Sequence, residues 1–504
     1  MARPASPGPC LLGIDNGLTV TKAVVFDATG RVLAVARRRL PQFMPAPRFV
    51  ERDMAGLWIA TAEAVAEAVA ASGRGVDIAA VSATAHGDGL YLLDRDCLPL
   101  GPGILSLDSR AGTVVDGWSA DGTAGRALAL TGQMPHASAP ATLLAWMRDH
   151  QPDRFGRIGH VLACKDWLRF CLTGTIGTDL TEASTSFTEV TTQGYHPDIL
   201  PLFGLQRLTL PAISLPTDMV GHVTEAAAAL TGLRQGLPVV AGLHDVTASA
   251  LGIGGYGVGC VAIVAGTYSI NETVSVSPKV DPRWFCRNGL KRGEWNSMAI
   301  SPASAANYDW FLDRLCGAER QAAGSAIHAT LLPEIEAALA RPSTVLFHPY
   351  LYGSPHGAQA SGGFLGLRGW HDRGDMLRAV LEGIAFNHRV HVDALRHGFQ
   401  PSQALMTGGI SRSPVFAQMF ADVLGMPVTV TDTEEAAAWG AALCAGVGVG
   451  LFASALDDPR DMGAASQTYA PDPPRRDELD RRYRLHCKVA AAMAPLWPEI
   501  EALA

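Results

Sequence analysis

Short apolar runs separated by turn residues open the chain. Leu11–Asp15, Thr21–Phe26 and Val32–Ala36 have the length of strands, and Asn-Gly and Asp-Ala-Thr-Gly segments lie between them. This spacing predicts a meander of three strands joined by hairpin turns. Downstream, Asp53 is a preferred N-cap, and the residues after it place apolar side chains on one face of a predicted helix. A further strand is predicted at Ile78–Thr84.

A second series of strands and turns begins near residue 259. Val261–Ala265 is an apolar run, Gly266-Thr267 is a turn signal, and Ser269–Val274 continues as a strand. Later strands alternate with helical patterns, which predicts an α/β architecture. The two similar beginnings indicate two structurally related halves that meet near residue 255.

Composition narrows the class of protein. With 504 residues, the chain exceeds what one hydrophobic core usually serves, so two domains of roughly 250 residues are expected. Apolar residues make up 48% and charged residues 17%, which is typical of a globular protein. The formal net charge of -8 argues against a nucleic-acid-binding protein, which needs a basic face. A small anionic substrate such as ATP stays open, since it needs only a local group of backbone N–H donors and a metal ion.

Cysteines and apolar segments bear on the cellular location. The nine cysteines include no CxxC pair, and their odd number does not describe a disulfide framework, so a reducing cytoplasm is expected. The N-terminal residues lack the apolar core of a signal peptide. Residues 436–456 carry no charge, but most are alanine or glycine. Their low hydropathy predicts a buried helix followed by a glycine-rich turn instead of a membrane span.

Residues Gly13–Lys22 are the first candidate for chemistry. An acidic residue, Asp15, ends an apolar strand, and Gly, Asn and Thr residues form the turn after it. Backbone N–H groups in such a turn can face phosphate oxygens, and a carboxylate can hold Mg²⁺ directly or through water. The same residues also fit an ordinary hairpin, since hairpin turns favour Asn-Gly. Both interpretations stay open at this point.

A second carboxylate, Asp245, follows the apolar strand Val239–Ala241 and precedes an alanine-rich segment. Because aspartate is a preferred N-cap, this residue can simply begin a helix. The functional alternative is a general base that accepts the proton of a sugar hydroxyl while the hydroxyl attacks phosphorus.

Two further turns are candidates for nucleotide contacts. Gly266-Thr267 lies in the second predicted hairpin, where it can bind phosphates or can be a plain turn. Residues 407–414 join a strand to a helix, where an α/β sheet binds nucleotides, although a plain connection looks the same. The GxGxxG match at 252–257 precedes a strand instead of a helix, which indicates a linker between domains. His388 and His391 share a helical segment, but no partner motif for a metal accompanies them.

Taken in order and spacing, these motifs resemble the FGGY family of carbohydrate kinases along residues 10–485. The most specific stretch is Gly362–Leu367, followed after seven residues by Asp375–Glu382, which is similar to the family's C-terminal signature. Further segments similar to blocks of that family are Asp108–Arg110, Lys165–Gly174, Ala421–Val428 and Glu434–Ala442.

The resemblance implies an α/β fold of two ribonuclease-H/actin-like domains, residues 10–254 and 255–490, with an interdomain catalytic cleft. It also implies ATP and Mg²⁺ as cofactors, Asp245 as the catalytic base and Asp15 as the residue that acts with the metal. The substrate-binding residues that it implies are His86, Gly87, Asp88, Asp108 and Asp245. The cofactor-binding residues that it implies are Thr19, Lys22, Gly266, Thr267, Asn307, Gly408, Gly409 and Ser413.

The expected sugar loop departs from better-known relatives. Glycerol kinases carry Arg-Glu where this chain has Gly87-Asp88, and tryptophan where it has Ser106, so glycerol is not expected. D-xylulose kinases have Met-His at the Gly87-Asp88 positions. Residues 104–110 and 351–354 resemble L-xylulose (3-keto-L-gulonate) kinases, which predicts a ketopentose such as L-xylulose as the substrate. Cys164–Leu168 also resembles erythritol kinases, so erythritol or another sugar alcohol stays open.

Alternatives of a different kind also stay open. A non-catalytic actin-like ATP-binding protein would share the phosphate loops but would not need Asp245 or a sugar loop. A pseudokinase would lack parts of the phosphoryl-transfer machinery, whereas Asp15, Thr267 and Asp245 are all present. The expected partners are a small sugar or polyol and ATP, without nucleic acid or membrane, and a homodimer is a candidate assembly.

Overall fold

The chain folds into two compact units, described by a computed structural model of residues 8–357, 359–464 and 466–503. Of the described residues, the first unit contains those up to 256 together with 274–297 and 433–462, and the second contains the others. The predicted two-domain α/β chain is therefore confirmed. The expected domains, residues 10–254 and 255–490, are each one continuous stretch of chain, whereas two later segments return to the first unit. The expected domain limits therefore stay a prediction.

The first 252 residues form short strands and helices of the first unit. The strands are β1 (Cys10–Asn16), β2 (Val20–Asp27), β3 (Val32–Arg39), β4 (Glu51–Arg52), β5 (Ile78–Ala85), β6 (Tyr91–Leu93), β7 (Gly103–Ile104), β8 (His160–Leu162), β9 (Thr178–Asp179), β10 (Ile213–Ser214), β11 (Met219–His222) and β12 (Pro238–His244). The helices are α1 (Met54–Ser72), α2 (Gly112–Ala120), α3 (Thr123–Thr131), α4 (Pro140–His150), α5 (Pro152–Gly156), α6 (Cys164–Thr173), α7 (Leu180–Ala183), α8 (Ile199–Leu202), α9 (Glu225–Thr231) and α10 (Asp245–Gly252).

The rest of the chain forms the second unit and the two segments that return to the first. Its strands are β13 (Cys260–Ala265), β14 (Ser269–Ser275), β15 (Phe285–Asn288), β16 (Trp295–Ser301), β17 (Leu346–His348), β18 (Gly363–Leu365), β19 (Gln403–Thr407), β20 (Val428–Thr431) and β21 (Ser466–Tyr469). Its helices are α11 (Ala305–Leu315), α12 (Gly317–Ala323), α13 (Ile327–Leu339), α14 (Arg373–Arg396), α15 (Pro414–Leu424), α16 (Ala436–Gly448), α17 (Pro473–Met493) and α18 (Trp497–Glu501).

One large sheet supports each unit, and the two sheets repeat one arrangement. The first has the order β11-β12-β5-β1-β2-β3, in which β1 pairs antiparallel with β2 and parallel with β5. The second includes the order β16-β14-β13-β19-β20-β21, in which β13 pairs antiparallel with β14 and parallel with β19. Each half therefore begins with an antiparallel hairpin whose first strand also pairs with a parallel strand. The similar strand patterns in the sequence predict this likeness.

Capping side chains and apolar faces fix the helices. Asp53 accepts the N–H groups of Ala55 and Gly56 at 3.2 and 2.9 Å, which confirms the predicted start of α1. Within the described part of the chain, α1 alone passes a test of length and apolar composition for a membrane span. One face of α1 is buried and packs on β2 and β3, so the helix contributes to the core of the first unit.

The charge-free segment after residue 435 is a core helix. α16 has 13 residues, and its central residues from Ala438 to Gly446 are buried. Gly450 adopts a left-handed conformation, with φ of 74°, directly after the helix. The predicted buried helix and glycine turn are confirmed.

Candidate active site

Asp15 ends β1 beside two other charged groups of the first unit. Its partner on β2 is Lys22, whose Nζ lies 3.4 Å from Asp15 Oδ2 and 3.1 Å from Glu435 Oε2. Burial raises the pKa of the Asp15 carboxyl, the charges of Asp245 and Glu435 add to this, and Lys22 opposes it. Arg37 also pairs with Glu435, so Lys22 and Arg37 offset part of the negative charge of Asp15, Asp245 and Glu435, and a surplus of negative charge remains near the end of β1.

Thr19 is exposed in the turn after Asp15, and hydrogen bonds to the carbonyl oxygen of Leu18 fix this turn. Gly17 N–H donates to Val20 O at 3.0 Å, and Gln42 Nε2 donates to Leu18 O at 2.6 Å. The buried guanidinium of Arg52 donates to the same carbonyl. The turn thus presents Thr19 on a fixed hairpin.

Asp245 is the first residue of α10, and the N-cap is His244. Its Oδ1 accepts the N–H of Val246 at 2.8 Å and lies 3.2 Å from Nδ1 of His244. Among the described residues no hydrogen bond is made to Oδ2, and 29% of the side chain is exposed. Asp245 is therefore the first helical residue and not the N-cap, although its Oδ1 accepts an N–H of the first turn, and its Oδ2 has no hydrogen-bond partner among the described residues.

His86 lies buried at the end of β5. Its Nε2 lies 3.2 Å from the hydroxyl of Tyr91. Burial lowers the pKa of His86 to about 4, with the charge of Arg52 adding to the effect. The imidazole is therefore neutral at physiological pH and can hydrogen-bond a hydroxyl without carrying charge.

Asp88 adopts a left-handed backbone conformation, with φ of 57°, and faces a buried arginine. Arg287 Nη2 lies 3.1 Å from each carboxylate oxygen, and His136 Nε2 lies 3.5 Å from Oδ1. Burial alone would raise the pKa of Asp88, but the charges of Arg287 and His136 hold it well below its ordinary value. Asp88 is therefore an ionised carboxylate in a closed ion pair.

Sequence reasoning missed Arg287. It lies on β15, 199 residues from Asp88 in the sequence, and its side chain is 2% exposed. Arg287 Nη1 also lies 2.8 Å from Nε2 of His244, and Nε donates to Gln133 at 3.4 Å. The one available signal was a charged residue inside a short apolar strand, which requires a buried partner.

Asp108 is held entirely by protein groups. Its carboxylate accepts hydrogen bonds from Arg110 at 2.7–3.0 Å and from the N–H of Val50 at 2.7 Å, and the side chain has no exposed surface. Arg110 also pairs with Glu51 at 2.7 Å. Asp108 therefore fixes Arg110 and the backbone at Val50, and its contact with a substrate stays a prediction.

A buried charged cluster supports the strand that leads to Asp245. Lys165 Nζ lies 2.7 Å from Asp166 Oδ1 and 3.1 Å from Asp179 Oδ1, and it donates to the carbonyl of Ala241 on β12 at 3.2 Å. Burial would lower the pKa of Lys165, but the two carboxylates raise it. Lys165 is therefore a charged group that fixes β12.

In the second unit, two predicted nucleotide turns lie side by side. β13 and β19 are parallel with Val264 opposite Thr407, so the turns after them lie at the same sheet edge. Gly266 O accepts the N–H of Ala305 at 2.9 Å, and Thr267 is exposed. Gly266-Thr267 and Gly408-Gly409 are thus brought together.

A cavity of about 470 Å³ lies beside the turn after β19. Its volume is within the range of small-molecule sites. Gly409 and Ser413 line it, as do residues of α13, and Tyr308 and His328 stack at its wall with ring centroids 5.7 Å apart. The cavity is a candidate for the predicted adenosine pocket.

Asn307 does not line this cavity. It is fully buried, donates to Ser304 O at 3.2 Å and accepts the N–H of Leu351 at 3.3 Å. The next residue, Tyr308, does line the cavity. Asn307 supports the wall, and its predicted contact with the nucleotide stays a prediction.

The histidines of α14 are core residues. His388 hydrogen-bonds Ser304 and Asn271 at 3.0 and 2.9 Å, and His391 lies 2.8 Å from Ser301 Oγ. In the part of the chain that the structure describes, no group of three or more His, Cys, Asp and Glu side chains is arranged to hold a metal by itself.

The predicted site residues thus form two sets, one in each unit. The first unit contains Asp15, Thr19, Lys22, His86, Gly87, Asp88, Asp108 and Asp245. The second unit contains Gly266, Thr267, Asn307, Gly408, Gly409 and Ser413.

Comparison with known proteins covers almost the whole chain. It is 33% identical over 495 residues to the L-xylulose/3-keto-L-gulonate kinase of Escherichia coli (strain K12), covering 96% of this chain and 97% of that protein. It is 29% identical to the erythritol kinase of Brucella abortus (strain 2308), covering 98% of each. The crystal structure of a xylulose kinase from Rhodospirillum rubrum matches 97% of this chain and 99% of that chain, with a TM-score of 0.87 and 30% identity.

Family models match both parts of the chain. The N-terminal domain of the FGGY family of carbohydrate kinases matches residues 10–252, and its C-terminal domain matches residues 256–449. ATP use is expected for such a kinase. With both models matched in order and a free carboxylate oxygen at Asp245, the chain belongs to the FGGY family of carbohydrate kinases, enzymes that transfer a phosphoryl group to an alcohol group of a sugar.

Proposed function

We propose that the enzyme transfers the γ-phosphoryl group of ATP to a terminal hydroxyl of a ketopentose, with L-xylulose as the first candidate. The observation that carries this proposal is the Asp245 carboxylate, which is 29% exposed and has one oxygen without a partner among the described residues. A carboxylate oxygen placed in this way can accept the hydroxyl proton as the hydroxyl oxygen attacks phosphorus.

The other residues of the first unit would bind the sugar and the phosphates. Asp88 and neutral His86 would hydrogen-bond sugar hydroxyls, while Thr19 and Lys22 would face the nucleotide phosphates. Asp15 fits a Mg²⁺ ion because its neighbours Asp245 and Glu435 add negative charge that a cation offsets. Such an ion would neutralise charge on the phosphate oxygens.

The second unit would bind the nucleotide. Gly266 and Thr267 would contact phosphates at the turn after β13. Gly408, Gly409 and Ser413 would contact adenosine at the cavity of about 470 Å³, two of them as lining residues. A cavity of this volume fits a nucleoside.

Substrate choice rests on the sequence of the sugar side. The relative that is 33% identical carries the name L-xylulose/3-keto-L-gulonate kinase, and the Gly87-Asp88 loop departs from the glycerol and D-xylulose patterns. Erythritol is the second candidate, because a relative named erythritol kinase is 29% identical over 98% of the chain.

A coupled assay of ADP release against ketopentoses, tetritols, pentitols and their acids tests the proposal. We expect the highest kcat/KM with L-xylulose. Asp245→Asn should lower kcat at least ~100-fold while ATP still binds, because the base is lost and the shape is kept. Asp198→Asn, at a carboxylate that is 80% exposed, is the matched control and should retain full activity. If Asp245→Asn keeps the wild-type kcat, Asp245 is not the base. If kcat/KM is higher with erythritol than with L-xylulose, erythritol takes the place of the ketopentose as the proposed substrate.

A further inference from the structure

Four side chains of the first unit form a continuous chain of contacts that ends at the proposed base. Asp88 pairs with Nη2 of Arg287 at 3.1 Å through both oxygens. Arg287 Nη1 lies 2.8 Å from Nε2 of His244, and His244 Nδ1 lies 3.2 Å from Asp245 Oδ1. Arg287 and His244 are 1% and 3% exposed, so water does not replace these contacts.

The chemistry of the guanidinium fixes the direction of each hydrogen bond. Arginine only donates, so Nε2 of His244 must accept and carries no proton. The ring proton then lies on Nδ1, the nitrogen that is 3.2 Å from Asp245 Oδ1. The N–H of Val246 points at both Asp245 Oδ1, at 2.8 Å, and Nδ1 of His244, at 3.3 Å. With the proton on Nδ1, the shorter contact to Asp245 is the one that acts as the hydrogen bond.

We propose that Arg287 and His244 are positioning residues that fix one oxygen of Asp245 and leave Oδ2 directed at the sugar hydroxyl. The proposal rests on the proposed role of Asp245 as the base. Asp88, which the sugar loop supplies, anchors the other end of the chain. Sugar binding at Asp88 and the orientation of the base are thereby coupled through two buried side chains.

Gly87 supports this assignment independently. A Cβ atom on residue 87 would lie inside the imidazole ring of His244, closest to Nε2. The ring therefore takes the space that any side chain at residue 87 would need. Gly87, His244 and Arg287 form a matched set, which gives a physical reason for the departure of the Gly87-Asp88 loop from the glycerol and D-xylulose patterns.

The first test reads the imidazole itself. NMR of ¹⁵N-histidine-labelled enzyme at neutral pH should show one histidine in the Nδ1–H tautomer whose signals disappear in His244→Asn. In Arg287→Met this histidine should lose its fixed tautomer. A His244 with its proton on Nε2, or protonated on both nitrogens, in the wild-type enzyme would overturn the proposal, whether or not the enzyme phosphorylates a sugar.

The second test is kinetic. Arg287→Met and His244→Leu should each lower kcat by ~10–100-fold with little change in the KM for ATP, because a misplaced catalytic group costs rate. The double variant should be no slower than the worse single variant, since both act through one contact chain. His244→Asn should recover part of the kcat lost in His244→Leu, because the Asn amide can donate from the place of Nδ1.

Arg283→Met is the matched control. Arg283 lies on the same returning segment, is 44% exposed and pairs with Asp281, so this variant should keep wild-type kcat. Wild-type kcat in folded Arg287→Met, or fully multiplicative losses in the double variant, would overturn the positioning role. If the wild-type enzyme itself phosphorylates no sugar, the proposed function fails, while the tautomer measurement still decides the contact chain.

Discussion

At the scale of single residues, carboxylates with similar sequence surroundings have different tasks because their partners differ. Asp108 is saturated by Arg110 and a backbone N–H, Asp88 forms an ion pair with Arg287, and Asp245 keeps one oxygen free among the described residues. The sequence predicts that Asp15 ends one strand and that Asp245 follows another; Asp15 is the last residue but one of β1, and Asp245 comes directly after β12. It cannot predict the partners, because Arg287 lies 199 residues from Asp88 and is brought there by folding alone.

Glu182 allows a prediction about stability and pH. Its side chain is buried, and neither carboxyl oxygen has a hydrogen-bond partner among the described residues. Burial raises its pKa well above the ordinary value, with Asp179, Asp166 and Asp245 adding and Lys165 opposing. Because the folded pKa is the higher one, the stability that the protonated group contributes is lost as pH rises through that pKa. We therefore expect Glu182→Gln, which stays neutral, to gain stability relative to the wild type as pH increases.

Urea unfolding from about pH 5 to about pH 9 measures this difference. Glu189→Gln is the matched control, because the hydroxyls of Thr192 and Thr191 lower the pKa of Glu189. A lowered carboxylate pKa contributes stability above the unfolded value and loses it only in acid, so the Glu189→Gln difference should stay constant over this range. A Glu182→Gln difference that is equally constant would show that Glu182 is ionised throughout.

At the scale of elements, local signals predict most strands and helices, and tertiary contacts set the details. The first three strands, the Asp53 cap and the hairpin after residue 260 are confirmed, because apolar runs and turn residues determine them locally. The start of α10 differs, since the N-cap is His244 instead of Asp245. His244 takes this position because its N–H donates to Thr181 Oγ1 at 2.9 Å, a contact across 63 residues that no local pattern contains.

The alanine- and glycine-rich composition of α16 reflects how closely it packs on α10, the helix that carries Asp245. A Cβ atom on Gly440 would overlap the carbonyl oxygen of Ala248, a backbone atom that cannot move aside. We expect Gly440→Ala to destabilise the protein by ~1–3 kcal/mol through overpacking, measured as a lower urea midpoint. Gly117→Ala on α2, where the new methyl meets open space, should instead be neutral or stabilising by up to ~1 kcal/mol. Equal effects of the two substitutions would contradict close packing at Gly440.

At the scale of the whole molecule, the order of the motifs along the chain is what the sequence predicts best. The FGGY resemblance and the two-domain α/β fold are both confirmed by family models over residues 10–252 and 256–449. The return of residues 274–297 and 433–462 to the first unit is not predictable in the same way. Each of these segments is defined by long-range packing, and one of them carries Arg287 to Asp88.

The proposed division of ligands between the two units gives a prediction for the whole molecule. If the cavity of about 470 Å³ holds adenosine, ADP should raise the melting temperature by a few degrees, because a ligand at 100 times its Kd stabilises by ~2.7 kcal/mol. Ala329→Trp, which fills the cavity from α13, should abolish this rise and leave a rise caused by the sugar intact. Ala322→Trp on the exposed face of neighbouring α12 is the control and should keep both. A full ADP effect in Ala329→Trp would place the nucleotide elsewhere, and a lost sugar effect would mean that the two units do not bind their ligands independently.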